Sequence, residues 1–284
     1  ILSLLTCSLD KLTSPMTAFP DPIALLVFDI DGVLRDVGNS YRRALADTVE
    51  QFTQGGYRPT PEDIDALKGE GIWNNDWEGS QEFILRYFEG QGKSRDQVPI
   101  TYEEIVAFFQ GRYRGPKQGE QDEWTGYITQ EPLLVDKAYF DQLTKDGVPW
   151  GFFSGATRGS ARYVLDRRLG LSSPALIAME DAPGKPDPTG LFDVVDRLTE
   201  QHQLSPNLPV LYAGDTVADM QTLGHAETQR PQRRWIGVGV LPPHVTAIGG
   251  DYVQSYRDSL TKAGAAAVVD SVAHLTAAMI QSFL

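Results

Sequence analysis

Apolar residues follow two different spacings along the chain, and these spacings predict two kinds of region. Short apolar runs, typical of buried strands, occur at residues 24–28, 149–153, 175–178, 210–213, 235–240 and 265–269. Helical spacing of apolar positions follows several of these runs, at residues 160–169, 189–202, 217–225 and 271–283. Strands that alternate with helices favour a parallel sheet with helices on both faces. The pattern therefore predicts an α/β fold.

The stretch between the first two apolar runs carries no convincing strand and is rich in aromatic and charged residues. Helical patterns occur there at residues 41–52, 61–67, 80–88 and 102–113. An all-helical insert thus divides the sheet domain in sequence. We predict a core formed by residues 16–37 and 130–284, and a helical cap domain formed by residues 38–129.

The amino-acid composition argues against some classes of binding partner. Of the 284 residues, 38 are acidic and 25 are basic, which gives a net charge of −13. Such an acidic chain argues against nucleic acid or an anionic membrane as a partner, and no apolar stretch is long enough to cross a bilayer. We expect a cytoplasmic protein that binds a small molecule, and its oligomeric state is left open. If that molecule is anionic, the site must supply local cations or a metal.

Residues 1–15 differ in their sequence pattern from the rest of the chain. Residues 1–15 contain a Leu-rich piece without a basic leading region. We expect them to form a disordered tail without a function, with Met16 as the natural first residue. Cys7, the single cysteine, lies in this tail, so a disulfide framework and a cysteine-based zinc cluster are excluded.

Acidic residues follow two of the apolar runs at the points where strands are predicted to end. Asp29 and Asp31 follow the first run, and Asp215 and Asp219 follow the fourth. Ligands of open α/β sheets bind beyond the carboxyl ends of the strands, so these carboxylates are expected to meet. One carboxylate can attack phosphorus, and another can protonate the leaving alkoxide and later deprotonate water. Because several ionised acids repel one another, the cluster predicts a hard cation, with Mg²⁺ preferred.

Further residues at the same edge suit an anionic substrate. Ser154 and the amides of Gly155 and Ala156 follow the second run where a helix begins, which is a natural phosphate cradle. Lys185, within Gly-Lys-Pro-Asp-Pro, would offset the charge of the nucleophile and of the phosphoryl group. Each signal alone also fits a turn, a helix cap or a stiff loop, but their joint order along the chain favours chemistry.

These motifs resemble those of the haloacid dehalogenase-like superfamily of phosphohydrolases, in the subfamily with a helical C1-type cap inserted after the first motif. The resemblance covers residues 24–269. It implies a Rossmann-like core, a Mg²⁺ cofactor and a phosphoaspartate intermediate. It also implies that Asp29 is the nucleophile and a metal ligand. Asp31 would be the general acid/base, with its backbone carbonyl on the metal.

The remaining motifs receive their roles from the same resemblance. Ser154 and Lys185 would hold the phosphate, and Asp215 would bind the metal directly. Asp219 is expected at the metal site, through water or as an orienting group.

Substrate choice is expected to rest on the cap, because the core handles only the phosphoryl group. A polar-aromatic cluster there contains Asn74, Asn75 and Trp77, which could recognise a leaving group with hydroxyls or an amine. The alternative is a capped helix start whose tryptophans pack inside the cap. Arg35 or Arg158 could clamp a carboxylate or a second phosphate, but a surface salt bridge is the preferred role for any single arginine.

These features predict a Mg²⁺-dependent phosphatase for a small phosphorylated metabolite such as phosphoglycolate, a sugar phosphate or an amino-alcohol phosphate. One alternative is a phosphomutase of the beta-phosphoglucomutase type, and another is a non-catalytic protein that binds a phosphorylated ligand. The acid at Asp31 argues against haloacid dehalogenation. A phosphonatase, a minor hypothesis, would need a cap lysine that forms an imine, for which Lys68 and Lys93 are available but match no motif.

Overall fold

The computed structural model describes residues 22–117, 119 and 121–284. The expected tail at residues 1–15, with Cys7 and Met16, lies outside the described residues. The described part of the chain contains one parallel sheet of six strands in the order β3-β2-β1-β4-β5-β6. The strands are β1 Leu25–Phe28, β2 Trp150–Phe153, β3 Leu176–Ile177, β4 Val210–Gly214, β5 Trp235–Val240 and β6 Ala265–Val269.

Each face of the sheet packs against its own hydrophobic cluster, because successive side chains of a strand point to opposite faces. Leu26 and Phe28 of β1 join a cluster with helices α5 (Lys137–Lys145), α6 (Arg158–Arg162) and α11 (Ala277–Ser282). Leu25 and Val27 of the same strand join a second cluster on the other side.

That second cluster contains apolar residues of α7 (Thr189–Gln201) and α8 (Val217–Gln229). Helices therefore cover both faces of the sheet, which confirms the predicted α/β fold with a Rossmann-like core.

The first four helices after β1 form the helical cap. They are α1 Tyr41–Phe52, α2 Pro61–Lys68, α3 Asp76–Gly90 and α4 Tyr102–Tyr113. Their apolar faces meet in a third cluster, which includes Leu45, Leu67, Phe83 and Phe109. The observed bounds of α1 and α4 equal the predicted ranges. The domain boundaries at residues 37/38 and 129/130 stay a prediction.

Two predicted helices differ in form from the observed structure. The prediction of a single helix at residues 271–283 is wrong. The described chain has a 3₁₀ turn at Val272–His274 and then the separate helix α11. Ser271 and Thr276 each accept a bond from a backbone amide two or three residues onward, so two separate starts replace one helix. The predicted helix at residues 160–169 begins as α6 and continues as a π-helix at Tyr163–Arg168.

Three helices were not predicted: α5, α9 (Pro243–Ile248) and α10 (Gly250–Lys262). In α10 the only fully buried side chain is Leu260, so the segment shows little apolar periodicity. Pro243 begins α9, and proline is favourable in the first turn of a helix. Among the described residues, no helix combines the length and the apolar character that a membrane crossing requires.

Candidate active site

Two acidic residues meet at the carboxyl end of the sheet because β1 and β4 are neighbours. Asp29 follows β1 and its amide donates to the carbonyl of Ala213 in β4 at 2.8 Å. Asp215 follows the last residue of β4. The loop after Asp29 passes close by, because Gly32 has φ of 75° and an added Cβ would lie 2.1 Å from Asp215 Oδ2. Glycine at this position therefore lets the loop approach Asp215.

Three buried carboxylates form the centre of the site. Oxygen atoms of Asp29, Asp215 and Asp219 lie within 4.8 Å of one another. Burial raises the pKa of Asp29 to about 7 even though Lys185 opposes the shift. Burial and the charges of Asp219 and Asp29 raise the pKa of Asp215 well above its ordinary value. A divalent cation would relieve both shifts, and an all-oxygen donor set suits a hard ion, so these residues fit such a metal.

Lys185 places a positive charge in direct contact with Asp29 and Asp219. Its Nζ lies 2.9 Å from Asp29 Oδ1 and 2.6 Å from Asp219 Oδ1. Although burial lowers the pKa of this ammonium, Asp219 and Asp29 raise it further, so the net shift is upward and the group is charged. The ammonium also faces the rings of Phe153 and Tyr212 at 5.1 and 5.3 Å. Lys185 is therefore fixed beside the expected nucleophile.

Asp219 is held by donors on both of its oxygens. Oδ1 accepts from Lys185 and from the Tyr212 hydroxyl, the latter at 2.8 Å. Oδ2 accepts from the amide and the hydroxyl of Thr216 at 2.9 and 2.7 Å. Four donors use the four lone-pair positions of a carboxylate. Of the two roles expected for Asp219, orientation of Lys185 fits this geometry better than a contact with the metal through water.

Asp31 lines the same cavity, but Arg35 lies behind it and not in the cavity. Arg35 is fully buried, and its Nε donates to Asp31 Oδ1 at 2.7 Å. Its Nη1 donates to Glu131 and to the Tyr113 hydroxyl, each at 2.7 Å. The prediction that Arg35 clamps the substrate is therefore wrong, because all of its contacts are internal and none of its surface is accessible.

Two of the three residues of the predicted phosphate cradle line the cavity. Ser154 and Gly155 follow β2 and line the cavity together with Asp29. The amide of Ala156 donates to Ser154 Oγ at 3.1 Å, so it already has a partner within the protein. Ala156 itself is buried and does not line this cavity. Ser154 and Gly155 thus stand where the prediction requires, whereas Ala156 acts here on the Ser154 hydroxyl.

Asn74 and Asn75 lie beside the cavity, at the cap–core boundary. Asn74 lines a cavity of about 40 Å³ together with Asp29, and it faces Gly155 across the boundary. Both asparagines also line an adjoining cavity of about 310 Å³. Asn75 caps α3 as well, because its Oδ1 accepts from the amide of Trp77 at 3.0 Å.

Two other predicted substrate contacts lie elsewhere. The indole of Trp77 packs in the cap cluster against Phe109, with ring centroids 6.5 Å apart, as the alternative interpretation held. Arg158 is more than half exposed and forms an ion pair with Asp181. Neither Trp77 nor Arg158 lines the two cavities at the site. The expectation that these two side chains contact substrate is not supported by their positions.

Four cap residues that were not predicted as site residues line the small cavity. They are Tyr41, Arg42, Lys68 and Asp76. Lys68 and Asp76 form an ion pair at 2.9 Å, and burial raises the pKa of Asp76 although Lys68 lowers it. A signal for Arg42 was available, because it shares an i, i+3, i+7 stripe with two apolar residues of α1. A charged group on an apolar stripe needs a buried partner or a ligand.

The chain is similar in sequence to a known protein family and to a curated protein. The profile of haloacid dehalogenase-like hydrolases matches residues 23–227. The chain is 31% identical over 170 residues to an imidazoleglycerol-phosphate dehydratase of Phytophthora nicotianae, which is 59% of this chain and 34% of that protein. The chain thus spans about a third of the length of this relative.

A solved structure of similar fold is a phosphonoacetaldehyde hydrolase-like protein from Oleispira antarctica, with a TM-score of 0.62, 21% identity and 92% of each chain covered. A phosphatase from Thermococcus thioreducens has a TM-score of 0.57 and 21% identity, with 82% of this chain and 98% of that chain covered. These likenesses show the fold. The matched profile covers more than half of the chain, so the chain belongs to the haloacid dehalogenase-like hydrolases.

Proposed function

We propose that the protein is a Mg²⁺-dependent phosphatase that hydrolyses a small phosphate monoester through an aspartyl-phosphate on Asp29. The observation that carries this proposal is the buried Asp29 carboxylate at the end of β1, with Lys185 Nζ 2.9 Å away and Asp215 in the same cluster. A buried carboxylate beside a fixed cation is a suitable nucleophile for an anionic phosphoryl group. Ser154 and Gly155 face the same cavity and would bind phosphoryl oxygens.

In this proposal the reaction has two steps. An Asp29 oxygen forms a bond to phosphorus while the bond from phosphorus to the ester oxygen breaks, and Asp31 gives its proton to the departing alkoxide. Asp31 then removes a proton from a water, whose oxygen attacks the phosphorus and releases Asp29 and inorganic phosphate. Asp29 and Asp215, with the backbone carbonyl of Asp31, would hold Mg²⁺. When bound, this ion supplies Lewis-acid polarisation and charge neutralisation.

The size of the cavity supports a small leaving group. The cavity beside Asp29 and Asp31 has a volume of about 40 Å³, and cap residues line one side of it. The adjoining cavity of about 310 Å³ offers further room between the cap and the core. A short leaving group fits this arrangement with the cap in the position described here.

A phosphate-release screen over a panel of metabolite phosphates tests the proposal. We expect release with Mg²⁺ that stops when the metal is chelated. Asp29→Asn should lower turnover by at least about 10³-fold, because it removes the nucleophile. Circular dichroism and the melting temperature check that this variant keeps its fold. Wild-type-like hydrolysis by Asp29→Asn would contradict the covalent mechanism, and an isomerised sugar phosphate without free phosphate would indicate a mutase.

A second candidate is hydrolysis of a carbon–phosphorus bond in a small aldehyde-bearing phosphonate. The observation that favours it is the position of Lys68, whose chain segment belongs to the cap but which lines the cavity with Asp29. Lys93, the other cap lysine considered, is exposed and lies over the Phe88 ring. The similar fold from Oleispira antarctica is named for phosphonoacetaldehyde hydrolysis, which adds support.

The two candidates differ in what they require of Lys68. In the phosphonate reaction the Lys68 amine condenses with the aldehyde carbonyl and releases water, so Lys68→Arg should abolish cleavage of phosphonoacetaldehyde. Monoester hydrolysis needs no amine nucleophile, so the same variant should keep it to within about tenfold. The two rates are measured side by side, with borohydride trapping of the imine as the covalent readout. Lys93→Arg is the matched control and should change neither rate.

A further inference from the structure

We propose that Arg35 is a positioning residue for Asp31, and that it links the orientation of this acid to the cap through Tyr113. The inference rests on the proposed phosphatase function. It concerns a residue whose side chain does not line the cavity, so its effect on chemistry must pass through Asp31.

The guanidinium of Arg35 joins three elements of the molecule. Its Nε and Nη2 lie 2.7 and 2.5 Å from Asp31 Oδ1, which belongs to the nucleophile loop. Its Nη1 donates to Tyr113 Oη, on the last residue of cap helix α4, and to Glu131 Oε2, which follows the cap. The planar fork of arginine can satisfy these directions at once, whereas the single ammonium of lysine cannot.

Arg35 leaves one oxygen of Asp31 for proton transfer. Both short contacts fall on Oδ1, and Oδ2 accepts no hydrogen bond from any residue that the structure describes. The Asp31 side chain keeps 23% of its surface accessible and lines the cavity, whereas Arg35 has none. Arg35 therefore fixes the carboxylate from behind. A general acid must meet the leaving oxygen with a defined direction, so this constraint bears on the rate.

The same cluster spans both crossings of the chain between core and cap. Glu131 is buried and accepts from the Ser40 hydroxyl at 2.5 Å, so it joins the outgoing crossing to the returning one. The crossings run side by side, since the amide of Leu134 donates to the carbonyl of Leu34 at 2.8 Å. A displacement of the cap would move Tyr113 relative to this pair. The full set of Arg35 contacts thus exists only with the cap in the present position.

The dependence of the rate on the leaving group tests this role. A nitrophenolate leaves with little help from an acid, whereas an alkoxide needs a proton. We would measure kcat/KM for 4-nitrophenyl phosphate and for the best alkyl phosphate of the metabolite panel. For Arg35→Gln we expect a loss of about 10²-fold with the alkyl ester and less than about tenfold with the aryl ester. Asp31→Asn provides the reference and should show the same selective loss.

Three further variants separate positioning from stability. Arg35→Lys should recover part of the alkyl-ester activity. Tyr113→Phe removes only the cap contact and should shift the ratio of the two kcat/KM values in the same direction by a few-fold, even if Arg35→Gln fails to fold. Arg233→Gln is the matched control, because Arg233 is also buried but precedes β5, at the edge of the sheet opposite the site, where it contacts Thr199. It should lower stability and leave the ratio unchanged.

The outcomes distinguish this inference from the proposed function. Equal losses with both esters for Arg35→Lys and Tyr113→Phe, or no loss at all, would overturn the positioning role while the phosphatase function stands. A wild-type chain that hydrolyses neither ester with Mg²⁺ would overturn the phosphatase function, and the role of Arg35 with it.

Discussion

Gly32 is the residue at which backbone conformation and the candidate metal site depend on each other most directly. Its φ of 75° is strained for other residues, and its backbone passes so close to Asp215 that a Cβ would overlap the carboxylate. The loop that carries Asp29 and Asp31 can therefore reach its position only with glycine here.

Gly32→Ala should consequently damage both stability and the site. We expect a loss of about 1–2 kcal/mol in the free energy of unfolding from the left-handed conformation. Displacement of Asp215 should lower the affinity for Mg²⁺ by at least about tenfold, measured by calorimetric titration. Gly170→Ala is a suitable control, because Gly170 has φ of 68° with nothing within 4 Å of an added Cβ. Gly170→Ala should lower the free energy of unfolding by a similar amount and keep the affinity for Mg²⁺. Equal Mg²⁺ affinities of the two variants would contradict the steric argument.

The sequence predicted the positions of some site residues but not those of others. Asp29 and Asp215 follow apolar runs, so the rule for open sheets was enough to bring them together. The role of Arg35 depends on a turn that returns its side chain to Asp31 and on Glu131, which lies 96 positions away. Lys68 reaches the cavity only because α2 packs over the core. Contacts of this kind depend on tertiary packing, which local patterns do not describe.

At the scale of elements, helix α2 is tied to the core by one acidic residue. Asp65 accepts from Arg42 of α1 and from Tyr252 of α10, and His244 Nε2 of α9 lies 2.9 Å from its Oδ2. Burial alone would raise the pKa of Asp65, but the hydrogen bond from His244 and the charge of Arg42 lower it to about 2. The ionised carboxylate therefore stabilises the contact between cap and core.

The lowered pKa gives this contact a defined pH dependence. Its stabilisation should be complete above about pH 4, near the ordinary pKa of aspartate, and should be lost as the pH falls towards 2. We expect the difference in the free energy of unfolding between wild type and Asp65→Asn to shrink by about 2 kcal/mol from pH 5 to pH 2.5 in urea titrations. Asp141→Asn, in an exposed pair with Lys137, should show no comparable change. A difference that does not vary with pH would rule out this role for Asp65.

Elements were predicted well where the apolar pattern is continuous or regular. The strands β5 and β6 have the predicted bounds, because each is a short continuous run of apolar residues and glycine. Helix α10 was missed because it rests on the protein surface through few apolar residues. The helix expected near the end of the chain was interrupted by the caps at Ser271 and Thr276, whose backbone bonds a periodicity argument does not detect.

For the whole molecule, the described structure separates two tasks. The sheet edge holds the groups that would act on phosphorus, and the cap lines the space where a leaving group would lie. The cap has its own hydrophobic cluster, and it contacts the core both through polar groups such as Asp65 and through the packing of Trp124 on Tyr163. The small cavity is lined by residues of both parts and belongs to neither part alone.

The position of β1 determines how well this architecture tolerates a change of the cap insert. The strand is bordered on both sides, by β2 and β4, and all four of its residues are inaccessible. The chain leaves the sheet after β1 to form the cap, and it returns to the sheet at the neighbouring strand β2. The backbone that carries the nucleophile therefore does not rely on the insert for its own hydrogen bonds. A transplanted insert of different shape, joined at the same two crossings, would meet an intact nucleophile strand.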